Sequence, residues 1–140
     1  MRWEYCNDNK KVRKASPDES LIKSLLEMSA NKIKVISSLP LNETTASVVL
    51  VEYYEALREV AEAIASKNGF KVYSHECLTS MLQDLVREEI IAQKFDRFRK
   101  LRNGINYYGK PASLEEARRA VEEIPSVIDE LKTKHLKEFI

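Results

Sequence analysis

The run IAQKFDRFRKLRNGINYYG, from Ile91 to Gly109, holds the side chains best suited to chemistry. Arg102, Asn103, Asn106 and Tyr107 gather at one end, with Arg99 and Lys100 just before them. A guanidinium keeps its charge at any working pH and presents a fixed fork of donors, which suits a phosphate or a carboxylate. Drawn as a helix at about 100° per residue, the run puts Ile91, Phe95, Phe98, Leu101, Ile105 and Tyr108 on one side. Arg102 falls on that same side, between Ile91 and Phe95 in angle. A half-buried cation needs an anion or several acceptors. Two readings follow. Either Arg102 snorkels past the apolar stripe to a Glu on a neighbouring helix, or it stands at a cleft to grip a phosphate. Lys94, Arg97, Arg99, Lys100 and Arg102 face only one nearby acid, Asp96. That basic segment is either a solvated face or a phosphate-binding surface such as RNA-handling proteins carry.

Other chemistry is sparse. His75 and His135 are the only imidazoles, and His75, in the first turn of a predicted helix, reads as a surface residue. There is no glycine-rich phosphate loop, HExxH, paired-Cys motif or GxSxG. The carboxylates are spaced for surface pairing, so no metal and no cofactor is expected. Cys6 and Cys77 have no CxxC spacing and read as reduced thiols in a cytoplasm. The start, MRWEYCNDNKKVRK, lacks the apolar core of a signal peptide. No run approaches the ~18 apolar residues of a membrane span. The net charge of +1 argues against a uniformly basic nucleic-acid coat.

The elements that must position these residues are helices. The chain has 140 residues, enough for one core. It holds only 3 Gly and 4 Pro, which with its Ala, Leu, Glu, Lys and Arg content predicts an all-α protein. Residues Met1 to Ala15 form a basic lead-in, either an arm packed by Trp3 and Tyr5 or a mobile tail. Residues 16–140 form the helical domain. Ser16, Pro17 and Glu19 predict a capping box at the start of the first helix. A second helix is expected from about Asn42 to Asn68, stopped by Gly69. Its apolar breadth marks it as central to a bundle or covered by a second subunit. Val48 to Val51 would suit a strand, but the helical register around them prevails. Arg58 with Glu55, Glu59 and Glu62 reads as a solvated row of ion pairs. Gly69 to Tyr73 is a short connector, and Ser74 caps the third helix. A kink near Glu88–Glu89 precedes the Ile91–Gly109 helix. Ser113 and Glu116 form another capping box, and Pro125 is expected to kink or split the last helix.

Three stretches together resemble the HEPN family, small helical nucleotide-handling domains of prokaryotes and eukaryotes. They are SPDESLIKSLLEMS, YYEALREVAEAIASKNGFKVYSHECL and RNGINYYGKPAS, and the middle one looks most like archaeal members. The likeness spans roughly Ala15 to Leu136. It implies an up-and-down bundle of four to five helices, usually a homodimer. It also implies metal-independent ribonuclease activity in many members, and pairing with a small nucleotidyltransferase in toxin–antitoxin modules. The family's active-site signature is an Arg, roughly four to six residues, then a His, with a polar residue often following the Arg. Arg102 and Asn103 match it, and Tyr107 stands where the His is expected. Cleavage through a 2′-hydroxyl needs a base and a proton donor. A His near pKa 6.5 serves either role, while a Tyr near 10 is mostly neutral at pH 7. The expectation is a domain that binds RNA or nucleotide phosphate at Arg102, Asn103 and Tyr107. Arg99, Lys100 and Asn106 are the expected nucleic-acid-binding neighbours, and cleavage is weak or absent. The alternatives are an endoribonuclease using Arg102 with Tyr107, and a non-catalytic dimeric interaction module in which Arg102 only holds its helix.

Overall fold

A computed structural model describes residues 2–140. In chain order the elements are α1 (Trp3–Asp8), β1 (Val12–Lys14), α2 (Glu19–Ile36), α3 (Ala46–Lys67), β2 (Phe70–Val72) and α4 (His75–Ser80). A π-helical turn (Met81–Leu85), α5 (Glu89–Tyr108), α6 (Leu114–His135) and a 3-10 turn (Lys137–Phe139) complete the chain. The molecule is a helical bundle with one small two-stranded ribbon, in which β1 pairs antiparallel with β2. No helix among the described residues is long and apolar enough to cross a membrane.

The central helix is α3, against which α2, α5 and α6 all pack. Leu50, Leu57, Val60 and Ile64 supply its bulk, and Ala56, Ala61 and Ala63 let the neighbouring helices approach closely; all are fully buried. Its breadth is therefore covered by its own chain. Val48 to Val51 lie within the helix, as the register required. Gly69, at φ +84°, ends the segment as expected. The helix starts later than Asn42, because the Asn42 side chain accepts from the Thr44 and Thr45 N–H groups and closes a turn there.

The N-cap of α2 is Asp18, not Ser16. Its Oδ1 accepts from the Leu21 N–H at 3.0 Å. The chain arrives extended, because the Ala15 N–H donates to the Gly69 carbonyl and continues the ribbon ladder. The Asp18 N–H is then fixed by Ser66 Oγ. The capping box at Ser113 and Glu116 is present in full. Pro125 neither divides nor ends α6. Ala120, Ile124, Val127, Ile128 and Leu131 bury one stripe on both sides of it, and that packing outweighs one missing N–H donor. The break expected before α5 is present: Arg87 adopts φ +59° between the π turn and α5.

The lead-in is an ordered arm and shares the core of the bundle. Trp3 is buried edge-on to Phe70, with ring centroids 5.1 Å apart, and its N–H donates to Asp84. Tyr5 stays exposed. The all-α bundle holds, but the stretch read as a plain connector from Gly69 to Tyr73 contains β2. Three-residue strands are too short to display an alternation in sequence. The two cysteines also need correcting. Cys6 and Cys77 form a disulfide, with Cα atoms 6.0 Å apart, that ties α1 to α4. Only the folded chain brings α1 against α4, so the linear spacing gave no hint of the pair.

The bond closes a loop between residues 71 positions apart. Its reduction is expected to cost about 2–4 kcal/mol, mainly by freeing the unfolded chain. Urea denaturation with and without dithiothreitol checks this, and coincident midpoints would contradict it.

Candidate functional site

The α5 helix carries the predicted residues on two different faces. Ile91, Phe95 and Phe98 are buried, and Leu101 and Ile105 pack half-buried against the core. Tyr108, expected on that stripe, is exposed because the last turn runs past the core. Gly109 closes the helix in the left-handed region, with the Lys110 N–H donating to the Gly104 carbonyl.

Arg102 lies between helices, its side chain 13% exposed. Nη2 is 3.4 Å from Glu55 Oε1 of α3. Nη1 donates to Asn103 Oδ1 at 3.0 Å and to Tyr107 Oη at 3.4 Å. The guanidinium carbon sits 5.6 Å from the Tyr54 ring centroid and 5.5 Å from that of Tyr107. The snorkelling reading is thus realised in the Glu55 pair, and the three motif residues Arg102, Asn103 and Tyr107 meet at one guanidinium. The packing leaves two loose ends. Arg102 Nε and Glu55 Oε1 are both buried without a hydrogen-bond partner. Buried polar atoms are seldom left so, and Glu59 Oε1 on the same helix as Glu55 shares the condition.

Behind this contact lies a group that sequence reasoning placed elsewhere. His75 is half-buried, not a surface residue, and its Nδ1 is 2.9 Å from Tyr54 Oη. Burial and then the Arg102, Arg58 and Arg99 charges push the imidazole down to about 4. Burial likewise raises the Tyr54 hydroxyl above its ordinary range, so it stays protonated. Arg58 is also not on a solvated face. It is half-buried between Glu55 (2.9 Å) and Glu62 (2.8 Å), and Glu59 turns instead to Lys32 of α2 at 3.0 Å. Burial works against the Arg58 charge, but the two carboxylates outweigh it and its pKa rises. The spacing of Glu55, Arg58 and Glu62 was visible in sequence, whereas the approach of α5 and His75 to them was not.

The expected phosphate-binding neighbours are mostly neutralised. Arg99 and Lys100 both bind Asp96, at 2.8 and 3.1 Å, and Arg97 binds Glu123 at 2.7 Å. Partial burial favours protonation of Asp96, yet the bonds from Arg99 and Lys100 prevail and hold its carboxyl below the ordinary range. Arg99 and Lys100 line a groove of about 470 Å³ between α4 and α5, with Thr79 and Asp96. Asn106 is exposed and makes no hydrogen bond from its side chain among the described residues. The basic face of α5 is therefore a set of ion pairs, and among its five cations Lys94 alone lacks a carboxylate among the described residues.

His75 gives a pH test. The unfolded imidazole takes a proton near 6.5 and the folded one only near 4, so the unfolded chain binds more protons between these values. Stability is therefore complete above about pH 6.5 and falls as pH drops toward 4. Discounted for partial exposure, the loss by pH 5 is on the order of 1 kcal/mol. Denaturation midpoints at pH 7.5 and 5 should differ less in His75→Gln than in wild type; equal pH dependence would refute the assignment. Family models, curated proteins and solved structures contain no match to this chain, so the HEPN likeness rests on the stretches quoted above and the site on its geometry.

Proposed function

We propose that the chain is a HEPN-type helical domain that binds RNA or nucleotide phosphate at the Arg102 end of α5 and does not cleave it. The observation that carries this is the convergence on one guanidinium of Asn103 and an exposed Tyr107, with the Arg102 Nε unpaired. Nε itself is sealed from solvent, so a phosphate oxygen would meet the guanidinium at its Nη1 edge, beside Asn103 and the exposed Tyr107. The bound anion would compete with Glu55 for Arg102, which keeps the expected affinity modest. Against cleavage stands the phenol at the place of the motif's imidazole. Tyr107 Oη already accepts from Arg102, and a phenol offers no imidazole nitrogen to take the 2′-hydroxyl proton. The setting proposed is a toxin–antitoxin-like pair with a nucleotidyltransferase, in a cytoplasm. The Cys6–Cys77 disulfide removes the reduced thiols on which a cytoplasm was expected, so a cytoplasm fits only if it is of the kind that tolerates structural disulfides.

A second reading has its own support. The Arg102–Glu55 pair is what a purely structural Arg would make, and it favours a non-catalytic interaction module. Homodimerisation belongs to both readings. Since α3 is covered by its own chain, we assign it to the outer face of α2. Leu21, Met28 and Val35 are exposed there at one-heptad spacing. Asp18 and Glu19 open that helix and Lys34 lies near its end, so an antiparallel second copy sets acid against base.

With purified protein and RNA, no cleavage is expected with or without EDTA. Tyr107→Phe and Arg102→Gln are each expected to weaken RNA binding about tenfold, the scale of one charge-assisted hydrogen bond. Unchanged affinity in both folded variants would leave the interaction module. Met28→Lys should shift gel filtration toward monomer at micromolar concentration; a wild type already monomeric would remove the dimer.

A further inference from the structure

A cluster of cations without carboxylate partners among the described residues lies on the ribbon. In the β1–β2 register Arg13 stands opposite Lys71. The Tyr73 N–H donates to the Lys11 carbonyl at 2.9 Å, which extends the same ladder by one pair. Opposed residues of an antiparallel pair share a face, so Lys11, Arg13, Lys71 and Tyr73 all project outward. Val12, Val72 and Phe70 occupy the other face and pack into the core. Lys10 and Lys14 stand exposed at the two ends of β1. None of Lys10, Lys11, Arg13, Lys14 and Lys71 has a carboxylate partner among the described residues. Neither strand contains an acid. This is the reverse of α5, where the sequence is just as basic but the charge is spent in ion pairs.

The arrangement is costly for stability alone. Two like charges directly across a ribbon destabilise it, and no carboxylate among the described residues forms an ion pair with Arg13 or Lys71. Tyr73, 57% exposed, lies beside them with Lys71 Nζ 5.7 Å from its ring centroid. Cations interleaved with an open aromatic ring are what a strand of unpaired nucleotides recognises, phosphates by charge and bases by stacking. A lipid surface would engage the cations but has no base to stack on Tyr73, and the outward ribbon face carries no aliphatic side chain to enter it. A groove of about 370 Å³ runs from Arg13 and Lys71 past Leu25, Phe70 and Val72, with Asp18 and Glu62 in its wall. Asp18 caps α2 and Glu62 pairs with Arg58, so neither forms an ion pair with the ribbon cations. The platform is rigid: Trp3 packs on Phe70, and the disulfide fixes α1 behind it.

We propose that the outward face of the β1–β2 ribbon, Lys11, Arg13 and Lys71 with Tyr73, binds single-stranded nucleic acid. The surface is independent of the Arg102 site and needs neither cleavage nor a partner protein.

The test is fluorescence anisotropy with a labelled uridine oligonucleotide over a salt series. The Lys11→Gln, Arg13→Gln, Lys71→Gln triple variant should bind about tenfold more weakly. Its plot of log affinity against log salt should be shallower by about 2, the share of three single-strand phosphate contacts. Tyr73→Ala should weaken binding about tenfold at unchanged slope, as loss of one stacked base does. All four positions are outside the core, and circular dichroism and melting confirm that each variant is folded. A wild type that does not bind, or a triple variant with wild-type affinity and slope, overturns the proposal. So does equal binding to phosphatidylserine vesicles with no effect of Tyr73→Ala, which is the membrane outcome. Arg102→Gln separates the two sites. Weaker binding in both variants supports both sites, weaker binding in the triple variant alone supports the ribbon and removes the Arg102 reading, and weaker binding in Arg102→Gln alone removes the ribbon while leaving the Arg102 reading standing.

Discussion

Carboxylates on the buried central helix constrain the rest of the structure. Glu55, Glu59 and Glu62 all sit on α3, and Glu59 is almost completely enclosed. A lone carboxylate at such depth is too costly to keep ionised, so a packed neighbour must supply a cation. Lys32 of α2 meets Glu59, Arg58 meets Glu55 and Glu62 from within α3, and Arg102 of α5 reaches Glu55. Apolar burial draws the helices together without regard to direction. A rotation of α5 that moved Arg102 away from Glu55 would strand the half-buried guanidinium and leave Glu55 with Arg58 alone. The Arg102 contact is also the loosest of these pairs, with an unfilled donor and acceptor beside it.

Neutralisation on this scale redistributes the surface charge. The cations of α5 are consumed by Asp96 on the same helix, by Glu55 of α3 and by Glu123 of α6. Those on the ribbon meet no acid and face solvent. Local density of Lys and Arg along a chain does not report the acids that folding brings alongside. The two basic segments therefore differ in balance: α5 is largely neutralised by ion pairs, and the cations of the lead-in form none among the described residues.

The lead-in becomes a rigid surface through three links of different kinds. An aromatic contact joins Trp3 to Phe70, backbone pairing joins β1 to β2, and a covalent bond joins Cys6 to Cys77. Each connects the first residues to the stretch between α3 and α4. That stretch also leads, through Tyr73 and Ser74, into His75 behind the Arg102 contact. The ribbon and the α5 site are thus held by one short segment of chain.

The helices, the stop at Gly69, the Ser113–Glu116 capping box and the burial of Ile91, Phe95 and Phe98 were decided by the sequence itself, because each depends on neighbours within a turn or two. Periodicity even placed Arg102 against the core, since its angle on α5 follows from residue number alone. What met it there was not legible. Glu55, Tyr54 and His75 come from other elements, and so do the disulfide, the cap at Asp18 and the pairing of two three-residue strands. These are long-range choices, set by which surfaces dock once the apolar stripes are buried. Tertiary structure alone determined them, because charge pairing, burial of an imidazole and approach of two sulfurs depend on distances in space that the order of residues does not encode locally.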